Sequence, residues 1–397
     1  MKKILIIEDN QIVANVYRNK LNVEGYQTEI APDGETGLKI MRTFQPDIMI
    51  LDLMLPKMSG VDVIKAIRSE ADFAKLPVIV FSNTYLTNLI QEAWKAGANK
   101  CLSKASCSPQ EILEVVRRTV GDSGTMAKTR PSADATAEMK AKDGKLAADG
   151  AQDSAFQADL LKSFIAGLPG TLATLRAGLQ SLVKADGEMA QLKQIYELYR
   201  RLHALTGNAG IAGLTQISKM SDAVEALLKE LYEKPKNINP STLRTVAAGV
   251  DFLGFLFSNG IAPGKQEIPA ASILVVDDEP ISRRAIVYAL EKAHLQSVIA
   301  EDPTAAYRLL VEKNFDLIFL DIDMPGMNGY ELCAKLRGLP QHKKTSVVFV
   351  TALSDFDSRT SSLMAGGNDF IAKPFLFIEL TVKALIHVLR AKLQPAK

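Results

Sequence analysis

Short uninterrupted apolar runs alternate with helical stripes at both ends of the chain. Ile4–Ile7, Ile48–Leu51 and Val78–Phe81 lie near the start, and Ile273–Val276, Leu317–Leu320 and Val347–Val350 near the end. Blocks with no polar interruption suit strands buried on both faces. Such strands, alternating with helical patterns, predict a parallel sheet covered by helices. Between the two ends the period changes. Leu172, Leu175, Leu179 and Leu182 form one stripe. Ile195, Leu198, Leu202 and Leu205 form a second, and Val224, Leu227, Leu228 and Leu231 a third. Apolar residues three or four apart share one face of a helix, and three such faces need each other, which predicts an antiparallel bundle. Pro169-Gly170 predicts a break between two helices, and Pro235 and Pro240 bracket another.

These patterns divide the 397 residues into an α/β domain at 1–120, a helical bundle at 152–260 and a second α/β domain at 272–394. Residues 121–151 hold no aromatic residue, and their acidic and basic side chains balance. That stretch offers too little apolar area to offset the entropy of ordering it, so it reads as a flexible linker with room for a short helix. Residues 261–271 read as a shorter linker. Hydrophobic residues make up 47% of the chain, enough for packed cores, and the net charge of +2 gives no strong pull toward nucleic acid or anionic lipid. Cys101, Cys107 and Cys333 form no CxxC pair, and so odd and sparse a set fits a reducing compartment. The N-terminal apolar run is cut by Glu8-Asp9, too soon for a secretion signal, and no run is long enough to span a bilayer. A soluble, cytoplasmic protein with no nucleic-acid or membrane partner is expected.

Reactive residues then repeat. Asp9, Asp52, Ser82 and Lys104 recur as Asp278, Asp321, Thr351 and Lys373, each displaced by 269 residues, and Pro56 and Gly60 recur as Pro325 and Gly329 at the same offset. A single Asp after a strand is ordinarily a turn or cap residue. Four groups returning at unchanged intervals are two copies of one site. The acids and hydroxyls follow strands directly, and a parallel sheet gathers the C-terminal ends of its strands along one edge. Glu8, Asp9 and Asp52 should therefore crowd together, as should Asp277, Asp278 and Asp321. Crowded carboxylates with oxygen-only ligands favour a hard divalent ion, Mg²⁺, one per domain. One carboxylate can attack phosphorus, with Lys104 or Lys373 neutralising the transferring oxygens and Ser82 or Thr351 bonding one of them.

Both α/β domains resemble response-regulator receiver domains. In the second, Asp277-Asp278, the run from Asp321 through Asp323-Met324-Pro325-Gly326 to Gly329, Thr351-Ala352 and Lys373-Pro374 follow the family pattern closely. The resemblance implies a doubly wound, flavodoxin-like sheet of five parallel strands in each. It implies Asp52 and Asp321 as phosphoacceptors, the neighbouring acids as metal ligands, Ser82 and Thr351 as switch hydroxyls and Phe370 as a switch aromatic. The first copy departs from the pattern: Glu8 replaces the first Asp, Asn83 follows the hydroxyl, Cys101 holds the aromatic position and Ala105 replaces the proline. These changes touch the conformational switch more than the chemistry.

The helical segment resembles histidine phosphotransfer domains, whose hallmark reads here His203-Ala204-Leu205-Thr206-Gly207, with Thr206 in place of a lysine. The downstream Gly213-Leu214 and the helix containing Glu225 also fit. A helical wheel sets His203 roughly 120° from the centre of its apolar stripe, off the core on an accessible flank. By resemblance His203 is the phosphorylated residue. The implied function is two-component signalling. Phosphoryl groups pass from a separate sensor histidine kinase to the receiver aspartates, with a relay through His203 and a downstream response regulator or effector protein as the recipient. The chain has no Walker loop or kinase-type ATP motif, so it is expected to transfer phosphoryl groups rather than draw them from ATP. A second reading keeps the same domains as a docking or homodimerising protein controlled by phosphorylation, with the first receiver or the bundle catalytically degenerate.

Overall fold

The computed structural model describes residues 1–82, 87–104, 109–121, 150–259, 270–351 and 366–393. Most of both expected linkers, together with Asn83 and Ala105, lies outside the described residues. The chain forms two compact units, one of residues 1–168 and 207–213, the other of residues 169–206 and 214–397.

In the first unit, strands β1 (Lys3–Ile7), β2 (Gln27–Ala31), β3 (Ile48–Asp52), β4 (Val78–Ser82) and β5 (Lys100–Ser103) make one sheet in the order β2-β1-β3-β4-β5. Every pairing is parallel. Helices α1 (Gln11–Val23), α2 (Gly34–Phe44), α3 (Gly60–Ser69), α4 (Thr87–Ala96) and α5 (Pro109–Gly121) connect and cover it. Strand residues alternate between two cores. Leu5, Ile7, Met49 and Leu51 face one, and Ile4, Ile6, Ile48 and Ile50 face the other. Full burial of each such side chain is worth about 1.5–3 kcal/mol, which is why these strands admit no polar residue before their C-terminal ends.

Asp33 caps α2 by accepting a hydrogen bond from the Thr36 amide, and Lys57 Nζ lies 2.8 Å from its Oδ2. Those two bonds, the lysine's first, pull its carboxyl down to about 2. A depressed folded value contributes stability above the ordinary carboxylate range and loses it as pH falls through about 2. Asp33→Asn keeps the cap and removes the charge. Native-state amide exchange should show α2 less protected than in the parent at neutral pH and equally protected once the pH falls below about 2.

In the second unit the sheet repeats. Strands β6 (Ile273–Val276), β7 (Ser297–Ala300), β8 (Leu317–Asp321), β9 (Ser346–Thr351) and β10 (Asp369–Ala372) run in the order β10-β9-β8-β6-β7, again all parallel. The bundle helices are α6 (Gly150–Lys184), α7 (Glu188–Ile211), α8 (Thr215–Glu233) and α9 (Pro240–Asn259). Helices α10 (Pro280–Lys292), α11 (Pro303–Glu312), α12 (Gly329–Arg337) and α13 (Phe377–Leu393) serve the second sheet. The division between the units passes through α6 and α7.

The expected break at Pro169-Gly170 is absent: α6 runs through Pro169. Buried Leu168, Leu175 and Leu182 recur every seven residues and keep one face of the helix apolar on both sides of the proline, which itself is exposed. Packing of that stripe outweighs the roughly 3 kcal/mol that an interior proline costs. The break at Pro235 and Pro240 is present, as a short 3₁₀ turn (Pro235–Asn237) before α9. Among the described residues, no helix is long and apolar enough to cross a membrane.

The repeat extends into the scaffold. Arg68 donates to the carbonyls of Leu76 and Gly97 and to Asn99 Oδ1. Arg337 makes the matching bonds to Thr345, Gly366 and Asn368, all at the 269-residue offset. Both guanidinium groups tie the third helix of their domain to the turn entering its last strand.

Candidate functional site

Each acid stands where a buried strand runs out. Glu8 and Asp9 follow β1, and Asp52 is the last residue of β3. These strands are neighbours, but the chain leaves β1 toward β2 and leaves β3 toward β4, in opposite directions. That reversal opens a crevice at the strand ends. Side-chain oxygens of Asp9 and Asp52 lie within 4.8 Å of each other in it. Lys104, just past β5, reaches in from the side. Its Nζ lies 2.6 Å from Asp52 Oδ2 and 3.0 and 2.8 Å from the two Glu8 oxygens. Burial alone would push the Lys104 ammonium down, but the charges of Asp52 and Glu8 outweigh it and hold it above the ordinary lysine value. Ser82 ends β4 opposite Ser103 in register, and its side chain lies outside the described residues.

The second copy has the same plan with more room. Oxygens of Asp277, Asp278 and Asp321 lie within 4.8 Å of one another. Lys373 Nζ lies 2.9 Å from Asp321 Oδ2 and 3.1 Å from Asp277 Oδ2. Lysine side-chain exposure is 18% here, against 2% in the first copy. Burial raises the Asp321 carboxyl, Lys373 opposes that shift, and the charge of Asp277 adds to it. Lys373 is raised in turn, the bond and charges of Asp321 and Asp277 exceeding its desolvation. Thr351 is buried at the end of β9, and its carbonyl accepts the Lys373 amide at 2.6 Å. The Lys373–Pro374 peptide is cis. A set of three carboxylates with oxygen donors only and an ammonium on one flank fits a hard divalent cation such as Mg²⁺.

His203 stands on α7 beside two groups of its own unit. Its ring stacks on Tyr199, one turn earlier on α7, with centroids 6.1 Å apart. Its Nδ1 lies 2.8 Å from Glu225 Oε1 on α8. The other oxygen, Glu225 Oε2, lies 3.0 Å from the Thr206 hydroxyl, which is also 2.9 Å from the Leu202 carbonyl. A helical wheel of α7 contains neither that acid nor the neighbouring helix that carries it. Thr206, in the position of the family's lysine, is fully buried and turned toward the same acid. The contacts of Glu225 and Tyr199 with the histidine are not legible in the sequence. An acid on the next helix carries no local signal that it will meet the imidazole.

Comparison with known proteins agrees with this geometry. The model of the response regulator receiver domain matches residues 4–117 and 273–385, more than half of the chain. That of the Hpt domain matches residues 159–251. The transcriptional regulatory protein SrrA of Staphylococcus aureus is 37% identical over 117 residues, which are 29% of this chain and 47% of SrrA. The chain thus spans about half the length of the curated relatives it matches. Among solved structures, the chemotaxis response regulator CheY4 of Vibrio cholerae is 28% identical, covering 30% of this chain and 99% of that one with a TM-score of 0.29. The signal receiver domain of a signal transduction histidine kinase from Syntrophus aciditrophicus is 33% identical, covering 32% and 96%, with a TM-score of 0.29. Receiver and Hpt domains are the working parts of two-component phosphorelay signalling, and they exchange phosphoryl groups with histidine kinases and response regulators. This chain belongs to the response regulator receiver family, with one receiver domain on either side of an Hpt domain.

Proposed function

We propose that Asp52 and Asp321 each accept a phosphoryl group from a sensor histidine kinase and that His203 exchanges one with a receiver aspartate, its own or that of a downstream regulator. The observation that carries this reading is the shared ammonium of Lys373, within 3.1 Å of both Asp321 and Asp277 beside a cluster of three acids. An Asp321 oxygen attacks phosphorus, the donor's phosphorus–nitrogen bond breaks, and a carboxyl–phosphate bond forms. Lys373 and Lys104 can follow the charge from the carboxylate onto the phosphoryl oxygens without crossing the site. Thr351 and Ser82 donate hydroxyl hydrogens to those oxygens. Mg²⁺, held by Asp277, Asp278 and Asp321 and by Glu8, Asp9 and Asp52, one ion per receiver, supplies further neutralising charge when bound.

At His203, donation of Nδ1–H to Glu225 leaves the lone pair on Nε2, the atom that bonds phosphorus in this scheme. Glu225 is a positioning residue. Glu225→Ala should slow labelling of His203 roughly tenfold by releasing the ring and its tautomer. Glu225→Gln, which still offers an oxygen to Nδ1–H, should recover most of the rate. Imidazole ¹⁵N shifts should report Nδ1–H in the parent and the Gln variant and a mixture in Ala. Equal rates in all three would remove Glu225 from the scheme.

The whole reading is tested by incubating the full chain with Mg²⁺ and acetyl phosphate, then with a phosphorylated kinase. Acid-stable, hydroxylamine-labile adducts should map to Asp52 and Asp321, and an acid-labile, alkali-stable one to His203. A chain that takes no adduct on either aspartate defeats the receiver assignment. Labelled aspartates that never exchange with His203, in this chain or in trans, defeat the relay.

A further inference from the structure

Thr206 has one hydrogen to give and two acceptors within reach. Its Oγ1 lies 2.9 Å from the Leu202 carbonyl, one turn back on α7, and 3.0 Å from Glu225 Oε2 on α8. A threonine hydroxyl donates one bond. The Leu202 carbonyl is a helix acceptor that the backbone amide four residues on already serves. A bond to an ionised carboxylate is roughly twice as strong as one to a neutral acceptor. The hydrogen therefore goes to Glu225.

That choice matters at the other end of the same carboxylate. Glu225 Oε1 lies 2.8 Å from His203 Nδ1. The torsion that turns a glutamate carboxylate is broad and roughly two-fold, so a single contact leaves the group free to swing. With the hydroxyl at Oε2 and the ring at Oε1, the plane of the carboxylate is fixed. The threonine is itself held from α8. Ser218 Oγ donates to the Thr206 carbonyl at 3.0 Å. Ser218 and Glu225 lie about two turns apart on α8 and so share one face of it. That face bonds Thr206 twice, at its backbone and at its side chain, and the second bond sets the acid that meets the imidazole. The position where the chain departs from the family hallmark is tied into the same site as the histidine.

We infer that Thr206 is a positioning residue for phosphoryl exchange at His203: its hydroxyl orients Glu225, and Glu225 in turn keeps the ring proton on Nδ1 and the lone pair on Nε2. The inference rests on His203 being the phosphorylated residue. In the exchange the Nε2 lone pair forms the bond to phosphorus. The bond from phosphorus to the aspartate oxygen breaks, its electrons return to the carboxylate, and the Nδ1 proton stays in place. Thr206 touches none of the reacting atoms. Its whole effect passes through Glu225, which makes the two residues a coupled pair.

The test follows the acid-labile, alkali-stable adduct on His203 in the full chain after acetyl phosphate and Mg²⁺, together with imidazole ¹⁵N shifts. Thr206→Val keeps the shape and removes the donor. It should slow labelling roughly three- to tenfold, the range of one net hydrogen bond, and mix the two ring tautomers. Thr206→Ser, which restores the donor, should recover both the rate and the Nδ1–H signal. In a chain already carrying Glu225→Ala, Thr206→Val should change neither, because the acid it acts through is gone. Parent rate and parent tautomer in Thr206→Val overturn the inference. Equal slowing with and without Glu225 also overturns it, since that is the mark of a merely structural role. A parent chain that takes no adduct on His203 overturns the functional reading instead, and the ¹⁵N shifts, which need no phosphoryl group, still decide whether Thr206 holds the tautomer.

Discussion

Lys104→Ala should destabilise the first receiver by about 3–5 kcal/mol, the usual result of removing one member of a buried ion pair. Asp52 and Glu8 have side-chain exposures of 0% and 3%, and the Lys104 ammonium between them belongs to a side chain that is 2% exposed. Removing it leaves two carboxylates close together, deprived of that cation and with little access to water. The second receiver provides the contrast within one molecule. Lys373 is 18% exposed beside an Asp321 at 5%, so water can enter when it is removed. Lys373→Ala should cost less, about 1.5–3 kcal/mol. A chain of several domains does not unfold in two states, so the measurement should be local. Native-state amide exchange in β1 and β3 reports the first receiver, and exchange in β6 and β8 the second. Mg²⁺ should recover part of the loss in both, since a cation that binds only the folded acids stabilises them by mass action. Equal losses in the two receivers would mean that burial of the lysine does not set its energetic role.

The contrast between the copies is invisible in the sequence, although the copies themselves are plain in it. Buried central strands have no polar positions to tolerate, so β1, β3, β4, β6, β8 and β9 stand out as apolar blocks. The edge strands do not. β2 reads Gln27-Thr28-Glu29-Ile30-Ala31, with one face toward solvent, and β5 is the four residues Lys100–Ser103. Each is a strand because a neighbour offers it a hydrogen-bonding edge. The residues at strand ends are legible because the chemistry sits directly after the apolar block, at a position that the sheet fixes. Depth is not legible: whether Lys104 is more enclosed than Lys373 depends on what packs around each. The same limit applies elsewhere. Helical phase says nothing of Glu225, on another helix, which bonds the His203 ring. Local propensity puts a break at Pro169, while a heptad-spaced leucine stripe carries the helix through.

Gly60 and Gly329 should be the least replaceable glycines in the two receivers, for a steric reason. A Cβ on Gly60 would lie 2.2 Å from the carbonyl oxygen of Asp52 and 2.7 Å from the Leu53 Cα. On Gly329 it would lie 2.2 Å from the Asp321 carbonyl oxygen and 2.9 Å from the Ile322 Cα. The obstacles are backbone atoms, which cannot swing aside as a side chain can. The close approach exists because the loop after Asp52 and after Asp321 folds back on the strand: the Gly60 amide donates to Leu53 O at 3.0 Å, and the Gly329 amide to Ile322 O at 3.0 Å. The third helix of each domain therefore begins against the backbone of Asp52 or Asp321. Gly60→Ala or Gly329→Ala must either push that helix start away or move the aspartate, at a cost of about 3 kcal/mol. Either response also shifts the carboxylate relative to Lys104 or Lys373, so acetyl phosphate labelling of Asp52 or Asp321 should fall in the affected receiver only. Gly170→Ala is the control of opposite sign. That glycine lies within α6, and an added methyl would meet nothing within 4 Å, so alanine should stabilise the helix by up to about 1 kcal/mol. If Gly60→Ala matched the parent in amide exchange of β1 and β3 and in labelling, the loop would be able to yield, and the identical offset of the two glycines would owe nothing to the aspartate beside them.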